Sequence, residues 1–436
     1  MTTRREFLRS LAVAASMAGV AGAPKFSFAQ STGGKTFIKV FARGGADGLH
    51  LFPKVNDTAY YDYRPQLAIE APDGEDENTA RSLGSSVRAM NPNLEALLEI
   101  WNDGRMMVAP STSFEGANGS HFDCQRWIGT GARNNLIDGY LNRYLQEVSG
   151  ENHPVRGAVL GKSSGSTETR GRLPLPVINS GDSFDLETYL FCEGSDCEDN
   201  RLTEMMRQIS SHDVDVSAVE ESIRETQLLM LNTIDEVQQA GLDYTPSQAT
   251  EGVDYSNSSL GKGLKLCAQL IKAGVPLEVA ALDWNIGWDT HSNQIPNGNE
   301  ANRFYGNSRY NDRIAEGAQD MLTFYRDMGA AMNDVVVLVG SEFGRTKRQN
   351  GSFGTDHGRG GAWWAFGGPV RRQIAEDVDS IDDAVIGREN RLPTVTSYRD
   401  IVGEIMVRHM GMNENLVSTI FPGHSFVDLR LLAGTS

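Results

Sequence analysis

Residues 335–339 read Val-Val-Val-Leu-Val, with no polar residue between them. A strand that buries one face alternates apolar and polar side chains. A strand without alternation is covered on both faces, as a central parallel strand between two helical layers is. The run then releases Ser341, Glu342, Phe343, Gly344 and Arg345, which places Glu342 at the strand's carboxyl end. In open α/β sheets ligands bind at that edge, so Glu342 is either a site residue or an acid that solvates a turn.

Other strand-like segments recur at 36–45, 106–112, 175–180, 276–284 and 362–368. Helical patterns separate most of them: 91–104, opened by Asn91-Pro92 and stopped by Gly104, then 259–274, 307–332 and 397–411. The alternation predicts an α/β protein whose central sheet is mostly parallel and covered by helices on both faces. Residues 163–172 read as a mobile surface loop. A long amphipathic run from Val216 to Gly241 reads as a helix capping the sheet. No repeat and no long linker divides the chain, so the expectation is one domain over 30–436 with an acidic, partly helical insertion near 190–255.

Residues 1–29 carry paired Arg4 and Arg5, then a run of small apolar residues and a Ser27-Phe28-Ala29 cleavage sequence. This is the pattern of a twin-arginine signal peptide. The expectation is export by the twin-arginine machinery to the periplasm or beyond, as a folded protein. No later segment reaches the roughly 20 apolar residues of a membrane span, so none is expected in the mature chain. The full chain has a formal charge of -17, and loss of four basic residues and one acid takes it to about -20. Such a surface excludes nucleic acid as a partner. Of the four cysteines, Cys192 and Cys197 flank a short acidic loop and are disulfide candidates, whereas Cys267 sits at core spacing on a helix.

Chemistry-bearing residues cluster just after the strands. Asp47 follows the first, in a turn loosened by Gly44, Gly45 and Gly48. Ser120 and His121 open a helix after the second, where Ser120 either caps the helix or acts as a nucleophile. Asp289 and His291 follow Trp284, while Asp356 and His357 precede the strand from 362. Carboxylates with a few imidazoles suit a divalent ion such as Zn, Mn, Ca or Mg. A P-loop, a dinucleotide fingerprint, an H-E-x-x-H helix and a G-x-S-x-G elbow are all missing. Trp284, Trp288, Trp363 and Trp364 flank these motifs and either stack on sugar rings or fill the core.

The stretches FARGGADGLH, SHFDCQ, GWDTHSNQ, SEFGRT and TDHGRGG, in that order behind a twin-arginine signal, resemble an exported bacterial family known as domain of unknown function 1501. That family is grouped with the alkaline phosphatase and sulfatase superfamily. The resemblance implies an alkaline phosphatase-like sandwich with metal ligands at strand ends. It implies metal positions at Asp47, Asp289, His291, Glu342, Asp356 and His357, and a nucleophile at Ser120 or His121. Arg345 would clamp a non-bridging ester oxygen. Phe343 stands where the superfamily has a histidine. The implied function is metal-dependent hydrolysis of phosphate or sulfate esters, small or carried on envelope or extracellular glycans. The alternative is a non-catalytic relative that keeps a structural ion and binds a glycan or a partner protein. Replacing Arg4 and Arg5 with lysine is expected to leave the precursor in the cytoplasm, which cell fractionation and blotting would read directly.

Overall fold

The computed structural model describes residues 34–433 apart from 73–75, 77, 135, 149–152, 154, 180–206, 209–217, 243, 245–253 and 296–308. The signal sequence and the Cys192–Cys197 loop lie outside the described residues. No helix among the described residues is long and apolar enough to cross a membrane.

One sheet organises the chain. Its strands are β1 (Thr36–Phe41), β2 (Met106–Ser113), β3 (Gly157–Leu160), β4 (Val177–Ile178), β5 (Val279–Asp283), β6 (Val335–Gly340), β7 (Gly361–Gly367), β8 (Gln373–Ile374) and β9 (Thr396–Ser397). Across the sheet they run β4-β3-β5-β1-β6-β7-β2-β8, with β9 also beside β2. Every pairing is parallel except those of β7, which runs antiparallel to both β6 and β2. The expected mostly parallel α/β sheet is therefore present. The short strands β3, β8 and β9 escape a periodicity reading because two to four residues cannot establish a period.

Alternation within each strand sorts side chains into two cores. Ile38, Val40, Val335, Val337 and Val339 face one helical layer, built from α5 (Ser259–Lys272) and α6 (Arg309–Met328). Phe37, Phe41, Val336 and Leu338 face the other, built from α2 (His121–Thr130), α3 (Tyr140–Glu147) and α7 (Tyr398–Glu404). Both faces of β6 are thus buried, as its unbroken apolar run requires. Helix α4 (Ala218–Leu242) adds Val237 and Ala240 to the first core. Cys267 is fully buried in α5.

One expectation needs correction, and one pair of alternatives is decided. Residues 163–172 are not a free loop, because Ser166, Glu168 and Thr169 are buried and the Glu168 carbonyl accepts from Leu141 N in α3 (3.0 Å). Polar composition hid a segment whose backbone caps a helix. Trp284, Trp288, Trp363 and Trp364 are all core residues, at 2% exposure or less, and cannot stack on a ligand from solvent. Trp363 also explains Gly340: a Cβ there would stand 2.1 Å from the indole. Gly340→Ala is expected to lower stability by roughly 1–3 kcal/mol through overpacking. The midpoint of urea unfolding should fall accordingly.

Candidate metal centre

Parallel strands deliver their following loops to one sheet edge. Asp47 follows β1, His121 follows β2, Asp289 and His291 follow β5, and Glu342 follows β6. Asp356 and His357 precede β7, yet they reach the same edge because β7 is reversed.

Three imidazoles meet there, each with Nδ1 tied to an acceptor. His121 Nδ1 donates to Glu342 Oε1 (2.7 Å), His291 Nδ1 to Asp356 Oδ1 (2.9 Å) and His357 Nδ1 to the Gly119 carbonyl (2.6 Å). A carbonyl or ionised carboxylate can only accept, so the proton sits on Nδ1 and each neutral ring turns an Nε2 lone pair inward. The three Nε2 atoms surround Asp289. His291 Nε2 and His357 Nε2 lie 3.1 and 3.0 Å from Asp289 Oδ1, and His121 Nε2 lies 3.4 Å from Oδ2. His291 Nε2 and His357 Nε2 are themselves 2.9 Å apart. His121 Nε2 is buried without an aligned hydrogen-bond partner.

Among the described residues, His121, Asp289 and His357 offer ligand atoms all within 4.8 Å of one another. Lone pairs that converge on a carboxylate and leave one buried nitrogen unpartnered fit a divalent cation, which would take the place that protons otherwise must fill. Two imidazoles and one carboxylate are a donor set of the kind that holds a divalent ion. His291 flanks this trio.

The carboxylates around the centre are held ionised. Burial raises the Glu342 carboxyl, but hydrogen bonds from His121, Gln125 Nε2 (2.8 Å) and Gly44 N bring it below its usual value. Burial likewise raises Asp289, yet Arg345 Nη1 (2.7 Å) and His357 hold it down to about 2. The Glu342 hydrogen bond, working against burial, lifts His121 above the ordinary imidazole value. Asp289 and His291 remain open to solvent, at 44% and 46% side-chain exposure, so the centre can be reached.

The geometry redistributes the residues expected in the site. Glu342 and Asp356 face Nδ1 atoms, so they orient histidines and do not face the inner cavity. Arg345 is 1% exposed and its guanidinium holds Asp289 and Thr355, which leaves it no reach toward an ester oxygen. Ser120 caps α2 by accepting from Asp123 N (3.4 Å). Phe343 is buried and its ring lies 4.9 Å from those of both His121 and His357. It walls one side of the centre with carbon.

Asp47 stands apart. It is 1% exposed and receives Arg64 Nη1 (2.7 Å), Arg64 Nη2 (3.0 Å), Gln294 Nε2 (2.7 Å) and Leu49 N (3.2 Å). Four donors occupy its lone pairs, and a fully buried guanidinium takes the position a cation was expected to fill. Sequence reading missed Arg64, which lies in no motif, and gave no role to Gln125 and Gln294, which end the SHFDCQ and GWDTHSNQ stretches.

A mixed, mostly parallel sheet with a carboxylate-histidine cluster at its edge defines an α/β protein with a candidate metal site. The chain belongs to the family described as "Protein of unknown function (DUF1501)", which matches residues 120–387. No curated protein matches it. It is similar to a solved protein in the alkaline phosphatase superfamily from Vibrio parahaemolyticus, with TM-score 0.33 and 9% identity over 95% of this chain and 79% of that one. It is also similar to the lipoteichoic acid synthase LtaP from Listeria monocytogenes, with TM-score 0.37 and 10% identity over 97% and 82%. A third is the C-terminal periplasmic domain of EcEptC from Escherichia coli, solved in complex with Zn, with TM-score 0.30 and 10% identity over 80% and 77%.

Breaking a buried ion pair leaves its partner charged and unpaired, so Arg64→Ala is expected to lower stability by roughly 3–5 kcal/mol in denaturant unfolding. Burial works to raise the Asp47 carboxyl, but Arg64 outweighs it and the folded pKa lies below the unfolded one. Its contribution is therefore complete above about pH 4 and is lost as pH falls through the folded value. An acid titration of Arg64→Ala should show a shallower loss than wild type.

Proposed function

We propose that this protein is an exported hydrolase of phosphate or sulfate esters, built around one divalent cation held by His121, Asp289 and His357. The observation that carries the reading is the convergence of Nε2 lone pairs on Asp289, with every Nδ1 proton already engaged. A divalent cation in such a site lowers the pKa of water and polarises an ester oxygen. Glu342 and the Gly119 carbonyl keep His121 and His357 in the tautomer that presents Nε2. His291, backed by Asp356 and open to solvent, serves as acid and base. Its Nε2 takes a proton from the attacking water and returns one to the leaving oxygen. No side-chain nucleophile is required, consistent with Ser120 acting as a cap. The ester class and a glycan-borne substrate rest on the family resemblance and on the accessible, polar character of the edge.

The Asp47–Arg64 pair favours a second reading. A fixed guanidinium where a cation was expected leaves a single ion that could be structural, in a protein that binds a glycan or partner without turnover.

Purified protein is expected to hold about one equivalent of a divalent metal by elemental analysis and to lose melting temperature in chelator. Bound metal should fall as the solution is acidified, because a protonated imidazole cannot ligate and the Glu342 hydrogen bond already favours the protonated form of His121. His121→Ala, Asp289→Asn and His357→Ala should each lower turnover of an aryl phosphate or aryl sulfate by at least about 100-fold together with metal content. His291→Ala should lower turnover at unchanged metal content, and Ser120→Ala should change neither. Metal-loaded protein inert toward both esters over a broad pH range supports the second reading. Protein that is metal-free and indifferent to chelator removes both.

A further inference from the structure

The charges on the centre's own residues leave nothing to attract an anion. Asp289, Glu342 and Asp356 oppose one guanidinium, Arg345, and a divalent cation just cancels the two negative charges that remain. The whole chain carries -17. An anionic ester therefore needs a further fixed cation near the metal position.

The arginines on the loops around the site are nearly all engaged. Arg43 pairs with Asp283, Arg64 with Asp47, Arg345 with Asp289, Arg348 with Asp383 and Arg359 with Glu389. Among the described residues Arg391 has no acidic partner and no side-chain hydrogen bond. Its position is nonetheless defined. Its backbone bridges to Thr346, next to the Arg345–His357 bridge, so the strand-end loops carry it to the site. Its Nη2 lies 3.7 Å from where a Cβ on Gly119 would stand, and the His357 Cβ lies 3.3 Å from the same point. Gly119 has φ +81°, accepts from His357 Nδ1 through its carbonyl oxygen and leads directly into Ser120 and His121. A side chain at 119 would stand between the guanidinium and the His357 Cβ. Arg391 is only partly buried, so it can exchange water for a ligand.

We propose that Arg391 binds the anionic oxygens of the substrate, with the guanidinium seated beside His357 across the gap left by Gly119. Arg345, the arginine the sequence pointed to, holds Asp289 and leaves this task open. A planar fork pairs with two oxygens of a phosphate or sulfate group, which lysine cannot reproduce. The substrate class that follows is a monoanionic or dianionic oxyanion ester. This inference rests on the proposed metal centre but not on turnover.

The test is calorimetric titration of inorganic phosphate, and separately of sulfate, into the zinc-loaded full mature chain and its Arg391→Gln and Arg391→Lys variants. Wild type should bind at least one of the two ions. Arg391→Gln should weaken that binding by about tenfold or more at unchanged metal content and melting temperature, with Arg391→Lys between them. Where turnover exists, Arg391→Gln should raise KM more than it lowers kcat. Equal affinity in wild type and Arg391→Gln overturns the proposal, as does wild type that binds neither ion. A variant that loses metal or melts early also overturns it, because the role is then structural. A wild type that binds phosphate through Arg391 but hydrolyses nothing keeps this inference and removes the hydrolase reading. Turnover that is indifferent to Arg391→Gln does the converse.

Discussion

The edge of the sheet is organised by one buried ion pair. Arg64, with no exposure, donates two hydrogen bonds to Asp47 at the end of β1 and two more to the carbonyls of Thr346 and Lys347 beyond β6. Gln294 extends the network: its amide donates to Asp47 while its oxygen accepts from Thr290 and Thr355. Through these contacts the loops bearing Asp289, His291 and Asp356 are referenced to the central strands. A guanidinium suits this task because its five donors are planar and permanently charged. The arrangement is costly to desolvate, and it is stable only because the carboxylate and both carbonyls are satisfied at once.

Above that floor, topology decides who meets whom. Parallel strands bring the ends of β1, β2, β5 and β6 to one edge, but a residue preceding a parallel strand would emerge at the opposite edge. The reversal of β7 brings His357 back to His121 and Asp289. The loops there are held in unusual backbone conformations: Asn293 and Phe353 have φ of +47° and +57°, and their segments are joined by Asn293 N to Ser352 O and Gln294 N to Phe353 O. Positive φ at non-glycine residues costs about 1–3 kcal/mol and persists where surrounding contacts require it.

The centre itself is a problem of proton placement. Three imidazoles around one carboxylate could share protons in several ways, but fixed acceptors on each Nδ1 leave a single neutral arrangement. Glu342 illustrates how firmly this is set. It is fully buried, and Gly44 N, Ser341 Oγ and Gln125 Nε2 hold its oxygens together with His121. Phe343 closes one side with an apolar ring, while the open side exposes Asp289 and His291.

Taken alone, the sequence determined the sheet and its edge. Unbroken apolar runs can be buried only between two layers, and an acid, a glycine or a histidine after such a run must emerge where the strands end. Asp289, His291 and Glu342 were legible at that edge for this reason, whereas Asp356 and His357 precede β7 and reach it only because that strand is reversed; Ser120 as a cap was legible from the helix that follows it. What each residue does was not legible, because a carboxylate facing Nδ1 and one facing Nε2 have the same local sequence signature. Asp47 looked like a ligand until Arg64, seventeen positions away and in no motif, was seen to fill it. The sequence pointed to Arg345, in SEFGRT, and not to Arg391, yet it is the first that is paired with Asp289. Those distinctions are set by distances of a few ångströms between segments far apart in the chain, and only tertiary packing establishes them.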